Sequence, residues 1–110
     1  MNIEDLWFSL SFLFVDNDID YKKIASEISL FSIDIIEFNL FYNIAPACAN
    51  NIEQTIPIIW LSFDRKELIA DIKKHGIMSK NQITLKRKLS ATLYKYKYRN
   101  DWNALRSYLK

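Results

Sequence analysis

One glycine and two prolines in 110 residues leave this chain almost no tight turns. Hairpin turns need positive φ at a central residue, and glycine supplies it at no steric cost. A sandwich or barrel needs such a turn every ten residues or so. An all-β fold is therefore not expected, and the chain reads as all-α. The same shortage removes phosphate loops and dinucleotide fingerprints, which need several glycines where the backbone meets a phosphate. Gly76 alone builds neither.

Half of the residues are apolar, enough for one core in a single domain spanning residues 1–110. Cys48 is the lone cysteine, which excludes an internal disulfide and fits a reducing compartment. The apolar run Leu6–Val15 is too short for a bilayer core of roughly 30 Å. Glu4 and Asp5 precede it, where a secretory signal carries positive charge. We read it as a core helix of a cytoplasmic protein.

Apolar spacing predicts about six helices in a compact bundle. Ile3, Leu6, Trp7, Leu10, Leu13 and Phe14 mark the first, with Asn2 as its cap. The polar stretch Asp16–Asp20 ends it, and a second helix follows Asp20 with Ile24, Ala25 and Ile28 inward. Ser32 caps a third over Ile33–Ile44, apolar nearly all round and so central, which Pro46 bends or ends. Asn50–Pro57 reads as a loop. The run Ile58–Phe63 reads as helix or extended core chain. Asp64 and Glu67 form a capping box for a helix that stops at Gly76, the expected C′ residue. Ser79 and Gln82 form another, ahead of a long helix on which Leu85, Leu89, Leu93 and Tyr96 recur at helical spacing. Asn100 or Asp101 caps a last helix with Trp102, Leu105 and Leu109.

Charge divides the chain. Through Thr55 there are nine acidic residues against Lys22 and Lys23; from Ile56 onward, four against thirteen basic ones. Such asymmetry bears on partners and association rates rather than on fold.

Catalytic chemistry is sparse by comparison. Asp16, Asn17, Asp18 and Asp20, with Glu27 at the twelfth position, follow the oxygen-ligand spacing of a calcium loop. Tyr21 stands where that loop needs glycine, and Lys23 where it needs an apolar residue, so an acidic turn capping a helix is the better reading. His75 has no Ser or Cys partner placed beside it, and Cys48 has no neighbouring base. One Cys and one His cannot complete a zinc site. Asp34 and Glu37, at i and i+3, suit salt bridges to the basic C-terminal helix better than acid–base work. Lys86, Arg87, Lys88, Lys95, Lys97 and Arg99 interleave with Tyr94, Tyr96 and Tyr98, a composition that can hold nucleic acid. The three tyrosines cannot share one helix face, so at least one points outward.

Leu6-Trp7, Leu10-Ser11, Leu13-Phe14 and Asp16 open a pattern continued by Ile44-Ala45-Pro46-Ala47-Cys48, Asn51 and Trp60-Leu61-Ser62-Phe63-Asp64. Over about residues 5–75 this resembles a family of small uncharacterised bacterial helical proteins. The glycines usual beside the tryptophan in that family are missing here. The resemblance implies no enzyme activity and transfers no catalytic residue. The basic C-terminal helices, residues 76–110, lie outside it. Small, glycine-poor, isoleucine- and asparagine-rich chains also resemble immunity proteins of contact-dependent growth inhibition systems, which neutralise a cognate toxin domain. That second resemblance implies a non-enzymatic inhibitor whose partner is a toxin domain, a nuclease by expectation. Its acidic surface would occlude a basic active site. The expected partner-binding residues are Asp16, Asp18, Asp20, Glu27, Asp34 and Glu37. No cofactor, metal or membrane partner is expected. The alternative is a nucleic-acid-binding regulator acting through the basic helices.

Overall fold

The first helix, α1 (Ile3–Ser11), begins in a reciprocal cap: Asn2 Oδ1 accepts from the Asp5 amide, and Asp5 Oδ2 accepts from the Asn2 amide, both at 3.0 Å. Acidic Glu4 and Asp5 sit in the first turn, where the helix end is positive. The helix tightens into a 3-10 turn at Phe12–Phe14. The chain is seen in a computed structural model that describes residues 2–14, 18–48, 65–76 and 82–109. Over these residues it forms six α-helices and no strand. The expected loop Asn50–Pro57 and the run Ile58–Phe63 lie outside the described residues.

Asp20 caps α2 (Tyr21–Ile28) by accepting from the Lys23 amide, and Ile24, Ala25 and Ile28 are buried, as their spacing predicts. Ser32 caps α3 (Ile33–Asn39). The predicted third helix does not run on as one regular α-helix. At Leu40–Ile44 it widens into a π-helical turn, then resumes α-helical geometry over residues 45–48, past Pro46. A proline inside a helix lacks an N–H and pushes its ring against the carbonyl four residues back. The wider turn, with the Ala45 amide bonded to the Leu40 carbonyl, relieves that conflict without ending the helix.

Next come α4 (Arg65–His75), α5 (Leu85–Lys97) and α6 (Arg99–Arg106). Asp64 and Ser79, assigned as caps from the sequence, lie outside the described residues. The cap of α5 is Thr84, whose hydroxyl accepts from the Arg87 amide, so the helix starts later than the Ser79–Gln82 pair suggested. Asn100 and Asp101 lie inside α6, which follows α5 after the single residue Tyr98 and has no side-chain cap.

The core forms where α1 and the π-helical turn meet. Leu6, Leu10, Ile28, Ile36, Ile44 and Leu105 are fully buried there, and truncating any of them to alanine would cost about 2–5 kcal/mol. Phe41 meets Trp102 edge-on at 6.0 Å, and Phe14 meets Tyr98 at 5.0 Å, joining the early helices to the last two. The radius of gyration, 13.2 Å, matches the roughly 13 Å expected of a single compact domain this long.

Candidate functional site

The two oppositely charged halves partly neutralise each other inside the fold. Glu4 pairs with Lys73 at 2.8 Å and Asp5 with Arg65 at 2.6 Å, both tying α1 to α4. The Arg65 guanidinium beside Asp5 holds its carboxyl below the usual carboxylate range, helped by the Asn2 amide. Glu37 reaches Lys95 of α5 at 3.9 Å. The sequence led us to expect that Asp34 and Glu37 would face the basic C-terminal helix. Both line a shallow cleft of about 200 Å³ with Phe38, Tyr42 and Lys95, although only Glu37 is within pairing distance.

The other acidic candidates are placed differently. Asp16 lies outside the described residues. Asp18 and Asp20 are exposed just ahead of α2, and Glu27 is exposed on that helix. Seven residues apart, Asp20 and Glu27 fall about two turns along nearly the same side of α2, with Lys23 between them. None of Asp18, Asp20 and Glu27 is paired with a cation among the described residues. The candidates thus split into two sets. One belongs to α2, which packs on α1 and α6; the other belongs to α3 and stands beside α5.

Because α2 begins at Tyr21, the sixth to twelfth positions of the calcium-loop spacing are helical and cannot wrap around one ion. Among the described residues no cluster of His, Cys, Asp and Glu could hold a metal. Cys48 is fully buried, and burial, with Asp71 nearby, pushes its thiol far up, which holds it in the unreactive form. The side chain of His75 lies outside the described residues.

Sequence reasoning did not foresee a polar strand of contacts through the core. Asn39 and Asn43 are buried, and Asn39 Oδ1 accepts from both Trp7 Nε1 (2.9 Å) and Asn43 Nδ2 (3.0 Å). Asn39 Nδ2 in turn donates to the Ile35 carbonyl at 2.9 Å. Asn43 is also part of the wall of a cleft of about 450 Å³ between the π-helical turn, α4 and α5. Tyr42, Asp71, Lys86, Arg87, Ser90 and Tyr94 supply its polar groups. The sequence clue was Pro46 inside an otherwise continuous apolar helix, since irregular turns of this kind often border functional clefts.

The third feature is α5 itself. Ala91 is its only fully buried residue, and Leu85, Leu89, Leu93 and Tyr96 are 74, 62, 63 and 68% exposed. The apolar periodicity that ordinarily marks a core-facing stripe here lies on the outer face. Of the three tyrosines, Tyr98 is buried, Tyr94 is half-buried and Tyr96 points outward. From Leu85 to Arg99 the chain carries six cations and no acid.

These features define an all-helical, single-domain protein with exposed acids at Asp18, Asp20 and Glu27 and exposed cations along α5. The chain belongs to the family described as a domain of unknown function, DUF7079, whose model matches residues 1–108. The match continues through the C-terminal helices, well past the residues that carried the motif resemblance. No curated protein and no solved structure matches the chain.

Proposed function

We propose that this protein acts by binding rather than catalysis, as an immunity protein that neutralises a cognate toxin domain, expected to be a nuclease. The observation that carries the reading is the exposed set Asp18, Asp20 and Glu27, unpaired with cations among the described residues, while Glu4, Asp5 and Glu37 are engaged by Arg65, Lys73 and Lys95. Nuclease sites are basic because they hold phosphates. An acidic face that costs no internal salt bridge can enter such a site, speed the encounter and exclude wrong partners.

Asp20 also caps α2, so exchanging it for lysine would remove the cap at a cost of about 1 kcal/mol and confuse folding with binding. The informative variant combines Asp18→Lys and Glu27→Lys with Asp20→Ser, which removes the charge and keeps a capping hydroxyl. Co-expressed with a candidate toxin domain sought among the neighbouring genes, the parent protein should rescue growth and this variant should not. Rescue by both would contradict the reading.

The six cations between Leu85 and Arg99 support a second reading, a regulator that binds nucleic acid through α5. Phosphate contacts predict an affinity that falls steeply with salt. The reading gives no role to the leucines exposed between those cations.

A further inference from the structure

We propose that α5 is an interfacial helix that seats this protein on an anionic lipid surface. Viewed down the helix, Leu85, Tyr96, Leu89 and Leu93 fall within about 80° of arc, at 100° per residue. That crest points away from Ala91 and Tyr98, which face the core. Lys88 and Lys95 border it on one side, Lys86 and Lys97 on the other. All four lysines are exposed. At the C-terminal end the Arg99 guanidinium lies 4.3 Å over the Tyr96 ring and donates to the Tyr96 carbonyl at 2.8 Å. This fixes an aromatic–cation pair beside the leucines.

A bilayer offers what this face lacks, in matching order of depth. Leucine side chains reach the acyl boundary, while long lysine stems on both shoulders carry their ammonium groups back to anionic headgroups. The tyrosine hydroxyl and Arg99 lie at headgroup level, and each cation near such a surface contributes about 1 kcal/mol of attraction. Lys95 also reaches Glu37 at 3.9 Å and lies 6.0 Å over the Phe41 ring, which tempers the attraction on its shoulder.

The other occupants fit less well. A second copy placed crest to crest would set six cations against six more. A nucleic acid would satisfy the cations and leave Leu85, Leu89 and Leu93 in water. At 13 residues α5 is too short to cross a bilayer, so the proposed mode for this helix is lying on the surface. The inference is independent of the acidic set on α2 and of any toxin.

The test is co-sedimentation of the full chain with vesicles of phosphatidylcholine alone and of phosphatidylcholine with phosphatidylglycerol, at low and high salt. The parent should bind only the phosphatidylglycerol vesicles, and raised salt should weaken that binding. Leu89→Gln with Leu93→Gln changes two exposed positions to a residue of good helix propensity, so folding, checked by circular dichroism, is retained. That variant should lose binding by about tenfold or more. Failure of the parent to bind phosphatidylglycerol vesicles would overturn the proposal. So would equal binding by the leucine variant, which would reduce the effect to charge alone. Self-association through this face without vesicle binding, seen as a mass that falls in the leucine variant, would overturn it as well.

Discussion

Gly76→Ala is expected to destabilise the fold by about 1–3 kcal/mol in urea denaturation, because an added Cβ would strike the Ile72 carbonyl and stand 2.6 Å from Asn43 Oδ1. The sequence placed a glycine correctly at the end of α4, as the expected C′ residue, but for another reason: a C′ glycine is ordinarily left-handed, and no residue with positive φ is present among those described. The two explanations separate at Gly76→Asn. Asparagine suits a left-handed site, whereas close approach makes it at least as costly as alanine. Spacing from a helix end was legible in the chain; the side chain arriving from the π-helical turn was not. Asn39 makes the same point. Asn39→Ala would strand the Trp7 indole N–H in the core and remove the bond from Asn43 Nδ2, at about 2–4 kcal/mol, measurable by tryptophan fluorescence during denaturation. Cys48 should react with a thiol reagent only when the protein unfolds, since it is buried and its thiol is held protonated.

Single helices read well from their apolar spacing and caps where neighbours agree with local preference. Asn2, Asp20 and Ser32 all cap the helices assigned to them. Periodicity fails at α5, because it reports that an apolar face exists and not which way the helix turns it. Small Ala91 faces inward and lets α5 approach the π-helical turn, which leaves the leucine crest outside. Contacts between distant elements set two pH limits. The Tyr21 hydroxyl donates to Asp101 across α2 and α6, and burial, reinforced by that carboxylate, pushes its pKa from 10.0 up to about 12. The neutral phenol is thus favoured in the folded state. Its stabilisation is complete below pH 10 and disappears as pH climbs from 10 to about 12. Tyr21→Phe should flatten stability across that window. Asp5 acts at the other end. Its carboxyl is held below 3.8 by Arg65, so its contribution is present above that pH and is lost as pH falls through the lower folded value. Asp5→Asn should remove that part of the acid dependence in thermal unfolding followed from neutral pH downward.

At the scale of the molecule, the all-α class followed from the scarcity of turn formers, and the fold agrees. The charge split was equally plain in the chain, but its meaning depended on pairing that only the fold shows. Glu4, Asp5 and Glu37 join the first half to the second, and Asp18, Asp20 and Glu27 are left facing water. Whole-chain net charge, close to neutral, hides both faces. On the proposed reading, the protein should associate with its partner faster at low ionic strength, because exposed charges act over a Debye length of about 10 Å at 0.1 M salt. The proposal that the protein neutralises a toxin domain is tested most directly by calorimetric titration of a candidate toxin domain, sought among the neighbouring genes, with the parent protein and with the Asp18→Lys, Asp20→Ser, Glu27→Lys variant. Tight binding by the parent and a loss of about 100-fold or more in the variant is the predicted result. Equal affinity for both proteins, or no binding by the parent, would contradict the account.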